Sequence, residues 1–254
     1  MHDLPRSVPI TGRSLENENN VTLHLGIQMD FTPGQFVMVW IPGVDEKPFS
    51  IAGQDALGLM ITVKRRGCFS SAISDIPEGS LVGVRGPYGR GFRLVEPGCL
   101  IAGGCGFACL APIADRFPGM PILYGENEAK DLVYRQRFPH TRFYTADGSE
   151  GKKGFPTDDL EAFLREDPCE MVYGCGPEPM LVKMIRICQS LGVSCQVSIE
   201  RYMKCGQGVC GQCACGSVLA CVDGTVFDGE ELLQNPDFGR RKLNAAGAWE
   251  YLAS

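Results

Sequence analysis

From the start of the chain to Val95 the hydrophobic pattern runs in short, β-rich stretches: "VTLHLGI", "QFVMVWI", "PFSIAG", "LGLMITVKR" and "SLVGVRGP". Apolar and polar positions alternate within them, and Pro-Gly or Gly-rich breaks separate them. "FTPGQFVMVW" and "IPEGSLVGV" each set a turn directly before a strand. No clear helix signal interrupts the series, so the spacing predicts an antiparallel barrel or sandwich. After Pro97 the rhythm changes to alternating strands and helices: "CLIAGG", "FACLAPIADRF", "PILYGE", "TRFYTAD", "TDDLEAFLRE", "CEMVYGCG", "PEPMLVKMIRICQSLG" and "SCQVSIE". That alternation predicts an open parallel sheet. Residues 99–114, "CLIAGGCGFACLAPIA", form the most apolar run, but it is too short for a bilayer and is broken by glycines. It reads as a buried strand, a loop and the start of a helix. Beyond Glu200 come a cysteine-rich stretch and a polar tail, "FDGEELLQNPDFGRRKLNAAGAWEYLAS", with little core. The pattern divides the chain into residues 1–96, 97–200 and 201–254, a multidomain β plus α/β protein with a small C-terminal unit.

Composition narrows the function. A chain of 254 residues that is 44% hydrophobic has material for sizeable cores. Its formal net charge of -6 gives no general electrostatic attraction for nucleic acid. The opening "MHDLPRSVPITGRS" lacks the basic segment and apolar run of a secretory signal. A cytoplasmic protein without membrane association is therefore expected, and its 13 cysteines suit a reducing compartment where thiols serve metals or redox chemistry.

Five of those cysteines fall within residues 205–221, "CGQGVCGQCACGSVLAC". Cys205, Cys210 and Cys213 form C-x4-C-x2-C, and Cys221 follows after seven intervening residues. This is the plant-type spacing for a 2Fe-2S centre, whereas structural zinc ordinarily uses two short, well-separated ligand pairs. Gly206, Gly208, Gly211 and Gly216 would let the backbone approach a cluster and turn its NH groups toward the sulfurs. Cys215 is the alternative fourth ligand. Its position two residues after Cys213 points it elsewhere, so Cys221 is the expected ligand and Cys215 a buried or neighbouring thiol.

"ERYMKCGQGVCGQC", "DGTVFDGEEL", "YGCGPEPML" and "KPFSIAG" together resemble the electron-transfer subunits of two-component, NAD-linked dihydroorotate dehydrogenases, within the ferredoxin-reductase-like superfamily. The similarity runs over nearly the whole chain with the motifs in order. It implies an FAD-binding antiparallel barrel, an NAD-binding parallel α/β domain and a C-terminal 2Fe-2S domain. The flavin motif would be Lys47, Pro48, Phe49 and Ser50, with Lys where Arg is commoner; Lys supplies charge but no bidentate fork. "RRGCFSS" would supply Gly67, Ser70 and Ser71 to the FAD pyrophosphate, although Cys68-Phe69 departs from the family's small pair. "GPYGRGF", residues 86–92, looks like the loop closing the barrel.

For NAD, Gly103, Gly104 and Gly106 in "AGGCGFACLAPI" stand between a predicted strand and helix, where a pyrophosphate meets a helix N-terminus. Glu126 would accept the adenosine ribose hydroxyls and disfavour a 2′-phosphate. Cys175 and Gly176 would lie where hydride passes to the flavin, and "TADGS", residues 145–149, would touch the nucleotide. His2, His24 and His140 are scattered, and no nucleophile stands beside a base, which fits a chain whose reactive centres are cofactors. A nicotinamide delivers two electrons at once and an iron-sulfur cluster takes one, so a flavin must divide the pair. The resemblance places the terminal acceptor on another chain, an FMN-containing dihydroorotate dehydrogenase catalytic subunit in a heterotetramer. Alternatives are the same module serving a hydrogenase, sulfide dehydrogenase or transhydrogenase, or a zinc-binding interaction module.

Overall fold

The computed structural model describes residues 4–252. Six antiparallel strands come first: β1 (Arg6–Asn17), β2 (Asn20–Leu25), β3 (Phe36–Ile41), β4 (Asp45–Asp55), β5 (Gly58–Lys64) and β6 (Leu81–Tyr88). They close into a barrel in the order β1-β2-β5-β4-β3-β6, the β1–β6 pairing completing the ring. The period-two pattern fills the interior: Val21 faces Val63, Leu23 faces Ile61 and Leu25 faces Leu59 across β2 and β5, and Val39 faces Val84 across β3 and β6. All of these are buried. Closure settles the choice between barrel and sandwich and leaves no free sheet edge.

Two elements differ from the sequence reading. The chain's opening residues form the twelve-residue strand β1, whose Pro9 and Gly12 mask its alternation. "CFSSAISD" is an α-helix, α1 (Cys68–Asp75), whose Phe69 and Ile73 plug one end of the barrel.

Strand β7 (Gly98–Gly103), helix α2 (Phe107–Arg116), β8 (Ile122–Glu126), β9 (Arg142–Thr145), β10 (Lys152–Lys153), α3 (Leu160–Glu166), β11 (Met171–Cys175), α4 (Glu178–Leu191) and β12 (Ser194–Ser198) build the second body. Its sheet runs β10-β9-β8-β7-β11-β12, every pair parallel. Order reverses between β7 and β11, and in open α/β sheets ligands bind beyond the strands' carboxyl ends at such a switch point. Gly103 to Gly106 leave β7 there, and Cys175 and Gly176 leave β11 beside them.

The C-terminal part contains the hairpin β13 (Ala214–Cys215) and β14 (Val218–Leu219), strand β15 (Val226–Asp228), helix α5 (Gly229–Leu233), and a second hairpin, β16 (Arg241–Leu243) with β17 (Trp249–Tyr251). Strand β15 joins the α/β sheet antiparallel to β12. A polar seam ties the barrel's outer face to the second body. Asn17 donates to Leu132 O at 3.0 Å, Tyr134 N donates to Glu16 Oε2 at 3.1 Å, and Arg137 donates to Ala52 O at 2.9 Å. Among the described residues no helix is long and apolar enough to cross a membrane.

Candidate functional site

A cleft of about 530 Å³ opens where the barrel meets the switch point. The barrel wall contributes Phe36, Pro48, Phe49, Ser50, Thr62 and Lys64, and the facing wall contributes Gly103, Gly104, Gly106, Cys175, Gly176 and Glu178. The fold thus brings together Pro48, Phe49, Ser50, Gly103, Gly104, Gly106, Cys175 and Gly176, which are far apart in sequence.

The glycines do different work. A Cβ on Gly106 would lie 2.3 Å from Cys175 O, and one on Gly176 would lie 2.9 Å from the Gly103 Cα. One on Gly103 would meet Met180 Sδ at 2.7 Å. Gly106 and Gly176 let the loops after β7 and β11 touch backbone to backbone, and Gly103 leaves room for the Met180 side chain. Gly104, at φ +58°, has only Glu126 Oε1 near its missing Cβ, at 3.8 Å, and leaves the cleft open beside the start of α2.

Other expected residues stand at the margins. Lys47 is outside the lining: its ammonium is taken by Asp45 and lies 5.7 Å from the Tyr202 ring centroid. Gly67, Ser70 and Ser71 begin α1, reached from the cleft through Arg66. The Ser70 hydroxyl is occupied locally, accepting from the Arg66 and Gly67 amides at 2.8 and 2.9 Å. Glu126 is buried behind Lys64, whose Nζ lies 3.3 Å from its Oε1. Burial pushes the Glu126 carboxyl up, against the pull of Lys64. The Cys175 thiol is pushed well up by the neighbouring Cys109 thiol and by burial. Of "TADGS", Thr145 is buried, accepting from Glu150 N and donating to Glu150 O, and Ser149 accepts from Ala129 N. His24 pairs with Asp55 at 3.1 Å outside the cleft, His140 is exposed, and His2 lies outside the described residues.

Sequence reasoning missed Thr62, Lys64 and Arg66, which alternation on β5 and its continuation turn outward, and Ser198 and Thr225, joined by a 3.0 Å hydrogen bond. It also missed a buried ion pair. Arg201, four residues before Cys205, pairs with Glu178 at the head of α4. Its Nη2 lies 3.1 Å from Cys215 Sγ, and Glu178 Oε2 accepts from Gly239 N at 2.6 Å. Cys215 is buried and donates to Asn235 Oδ1 at 3.4 Å. Its thiol belongs to this network.

The other four cysteines stand as two pairs, Cys205 with Cys210 and Cys213 with Cys221. Among the described residues no three His, Cys, Asp or Glu side chains are already gathered around one point as a metal shell. Two thiol pairs suit two irons that each take two terminal thiolates. Backbone amides point at the sulfurs: Gln207 N and Cys210 N at Cys205 Sγ, both 3.5 Å, Gly208 N at Cys221 Sγ, 3.3 Å, and Cys221 N at Cys213 Sγ, 3.4 Å. Burial pushes the Cys205 thiol up, but the Gln207, Cys210 and Val209 amides outweigh it and bring it down to about 6. Burial and the Cys213 thiol push Cys221 up to about 12. The donor set is that of a thiolate-ligated cluster, with amides placed to stabilise negative sulfur. Cys213 and Cys221 pack in the same apolar cluster as Phe36 and Met203, both of which line the cleft.

The comparisons agree with this geometry. A family model described as the iron-sulfur cluster binding domain of dihydroorotate dehydrogenase B matches residues 200–233. A probable dihydroorotate dehydrogenase B (NAD(+)), electron transfer subunit, from Pyrococcus horikoshii is 44% identical over 219 residues, covering 84% of this chain and 85% of that protein. A protein of the same description from Methanopyrus kandleri is 38% identical over 255 residues, covering 94% and 97%. Among solved structures, one of an NADH-dependent reduced ferredoxin-NADP oxidoreductase superposes with a TM-score of 0.76 at 26% identity, covering 89% of this chain and 91% of that one. Phthalate dioxygenase reductase shares the fold at a TM-score of 0.59 and 19% identity, covering 72% and 63%. The chain belongs to the family of dihydroorotate dehydrogenase B electron-transfer subunits.

Proposed function

We propose that this chain passes electrons between NAD(H), FAD and a 2Fe-2S cluster, and that it serves an FMN-containing catalytic subunit that oxidises dihydroorotate to orotate, in a cytoplasmic heterotetramer. The observation that carries the reading is the shared wall: Phe36 and Met203 line the cleft and pack in one cluster with Cys213 and Cys221. The cleft wall and the cysteine loop therefore share one apolar core. When bound, FAD takes the electron pair of a hydride and releases electrons singly, which a 2Fe-2S cluster carries one at a time.

The chain's own residues divide into three parts, 1–96, 97–200 and 201–254. On the barrel, Pro48, Phe49 and Ser50 orient the flavin, while Lys47, Gly67, Ser70 and Ser71 serve its phosphate end. On the facing wall, Gly103, Gly104 and Gly106 admit the NAD pyrophosphate, and Glu126, steadied by Lys64, takes the adenosine ribose. Cys175 and Gly176 border the transfer point. Cys205, Cys210, Cys213 and Cys221 hold the cluster.

The test mixes the holoprotein with the dihydroorotate dehydrogenase catalytic subunit and follows NADH formation at 340 nm on adding dihydroorotate and NAD⁺. NADH formation that needs both chains is expected. A catalytic subunit that reduces NAD⁺ equally well alone would refute the assignment.

A further inference from the structure

The polar C-terminal tail forms part of the cleft. Lys242 on β16 and Leu252 just after β17 both line it. The hairpin is fastened at both ends of the suggested electron path. Gly239 N donates to Glu178 Oε2 at 2.6 Å, beside the loop that leaves β11, and Gln212 Nε2 donates to Asn244 O at 2.6 Å, between Cys210 and Cys213. Asp237 accepts from Gly216 N at 2.8 Å and from Arg241 Nε at 2.7 Å, and the Arg241 guanidinium lies 4.2 Å from the Trp249 ring centroid. These contacts fix where β16 enters the cleft.

The cleft's cations fall into two groups. Lys64 is matched by Glu126 and Asp131, and Arg201 by Glu178. Arg66 and Lys242 have no ion-pair partner among the described residues, and Glu250, directly across the ladder from Lys242, makes none with it. An unmatched ammonium on a cleft wall is an anion-binding group.

We propose that Lys242 binds the diphosphate of the pyridine dinucleotide, making the C-terminal hairpin the third wall of the nucleotide site. This rests on the reading of the cleft as an NAD(H) site. The hairpin's anchorage selects this diphosphate over that of FAD. Gly239 is bonded to the first residue of α4, and a Cβ there would touch Val182 of the same helix at 2.7 Å, so β16 comes in from the α/β wall. The flavin candidates Phe49 and Ser50 lie on the barrel wall.

The test compares wild type with Lys242→Gln and Lys242→Arg, each as the full chain carrying flavin and cluster. It titrates NAD⁺, ADP-ribose and adenosine against flavin absorbance or fluorescence. Losing one charge-assisted contact is expected to raise the dissociation constants of NAD⁺ and ADP-ribose about tenfold in Lys242→Gln. Adenosine, which has no phosphate, should be unaffected, FAD and iron per chain should match wild type, and Lys242→Arg should recover most of the affinity. Unchanged NAD⁺ affinity in Lys242→Gln, or an equal loss for adenosine, would overturn the proposal. So would loss of FAD with NAD⁺ affinity intact, which would hand the cation to the flavin. A wild type that binds no NAD⁺ would overturn the NAD(H) reading as well, whereas wild type and Lys242→Gln binding equally tightly would overturn only the role of the hairpin.

Discussion

The nucleotide cleft and the cysteine loop are built by opposite means. In the cleft, backbone meets backbone: Gly106 and Gly176 allow the loops after two adjacent parallel strands to touch, and the pairing of β7 with β11 fixes where those loops leave the sheet. The cysteine loop itself contains only the two-residue strands β13 and β14 and is held by amide-to-sulfur bonds, side-chain bonds and the apolar packing of Cys213 and Cys221. The first region is shaped in advance. The second draws much of its order from what it binds, because a metal site's binding free energy is also folding free energy.

The sharpest way to break that contrast is to remove a thiol. Cys213→Ser should abolish iron binding and loosen residues 201–254, seen as rapid hydrogen exchange there, while FAD stays bound and is still bleached by NADH. Loss of flavin together with iron would mean that the two regions fold as one.

Next in size is the buried pair that joins them. Arg201→Met leaves Glu178 buried without its partner and should destabilise the protein by about 3–5 kcal/mol in denaturant unfolding. The double variant Arg201→Met, Glu178→Gln should recover part of that loss, since no lone charge remains. Within the cleft, Gly106→Ala sets a Cβ against Cys175 O and should cost about 3 kcal/mol or more. Gly104→Ala meets open space at a left-handed φ, so it should cost only about 1 kcal/mol while weakening NAD⁺ binding. Equal losses at the two glycines would contradict the division of labour between them.

The smallest effect is a pH dependence at the hairpin. Asp237 is buried, which pushes its carboxyl up, but the bonds from Arg241 and Gly216 outweigh this and hold it below the ordinary 3.8. A depressed carboxyl contributes stability that is present above pH 3.8 and lost as pH falls through the folded value. In a Trp40→Phe background, where Trp249 is the remaining tryptophan, its fluorescence should change below pH 3.8 as the hairpin detaches. Asp237→Asn should remove that transition and cost about 2 kcal/mol at neutral pH.

The two regions also differ in how they could be read from sequence. Strands β2 to β6 and eight of the nine strands and helices from β7 to β12, all but the two-residue β10, followed from local periodicity, because each element's buried face is written into its own residues. Strand β1 escaped because Pro9 and Gly12 interrupt its alternation, and α1 because it is short and starts at Gly67 without a side-chain cap. The cysteine spacing was legible because a cluster needs its ligands at set intervals along the chain. The Glu178–Arg201 pair was not, since it joins the start of α4 to the segment after β12, nor was the reach of Lys242 into the cleft, which depends on the antiparallel return of β15 to β12 and on the hairpin that follows. No periodicity encodes such long-range contacts. Lys47 shows the converse, since the motif named it and the fold sets it beside Asp45 and Tyr202 at the cleft's margin.

The most direct measurement is made on protein purified without oxygen: iron, acid-labile sulfide and released flavin per chain, with the visible spectrum before and after NADH. The account predicts one FAD, two irons and two sulfides per chain, with flavin and cluster bands both bleached by NADH. A colourless protein that holds zinc, or a flavin that NADH bleaches while an intact cluster stays oxidised, would contradict it.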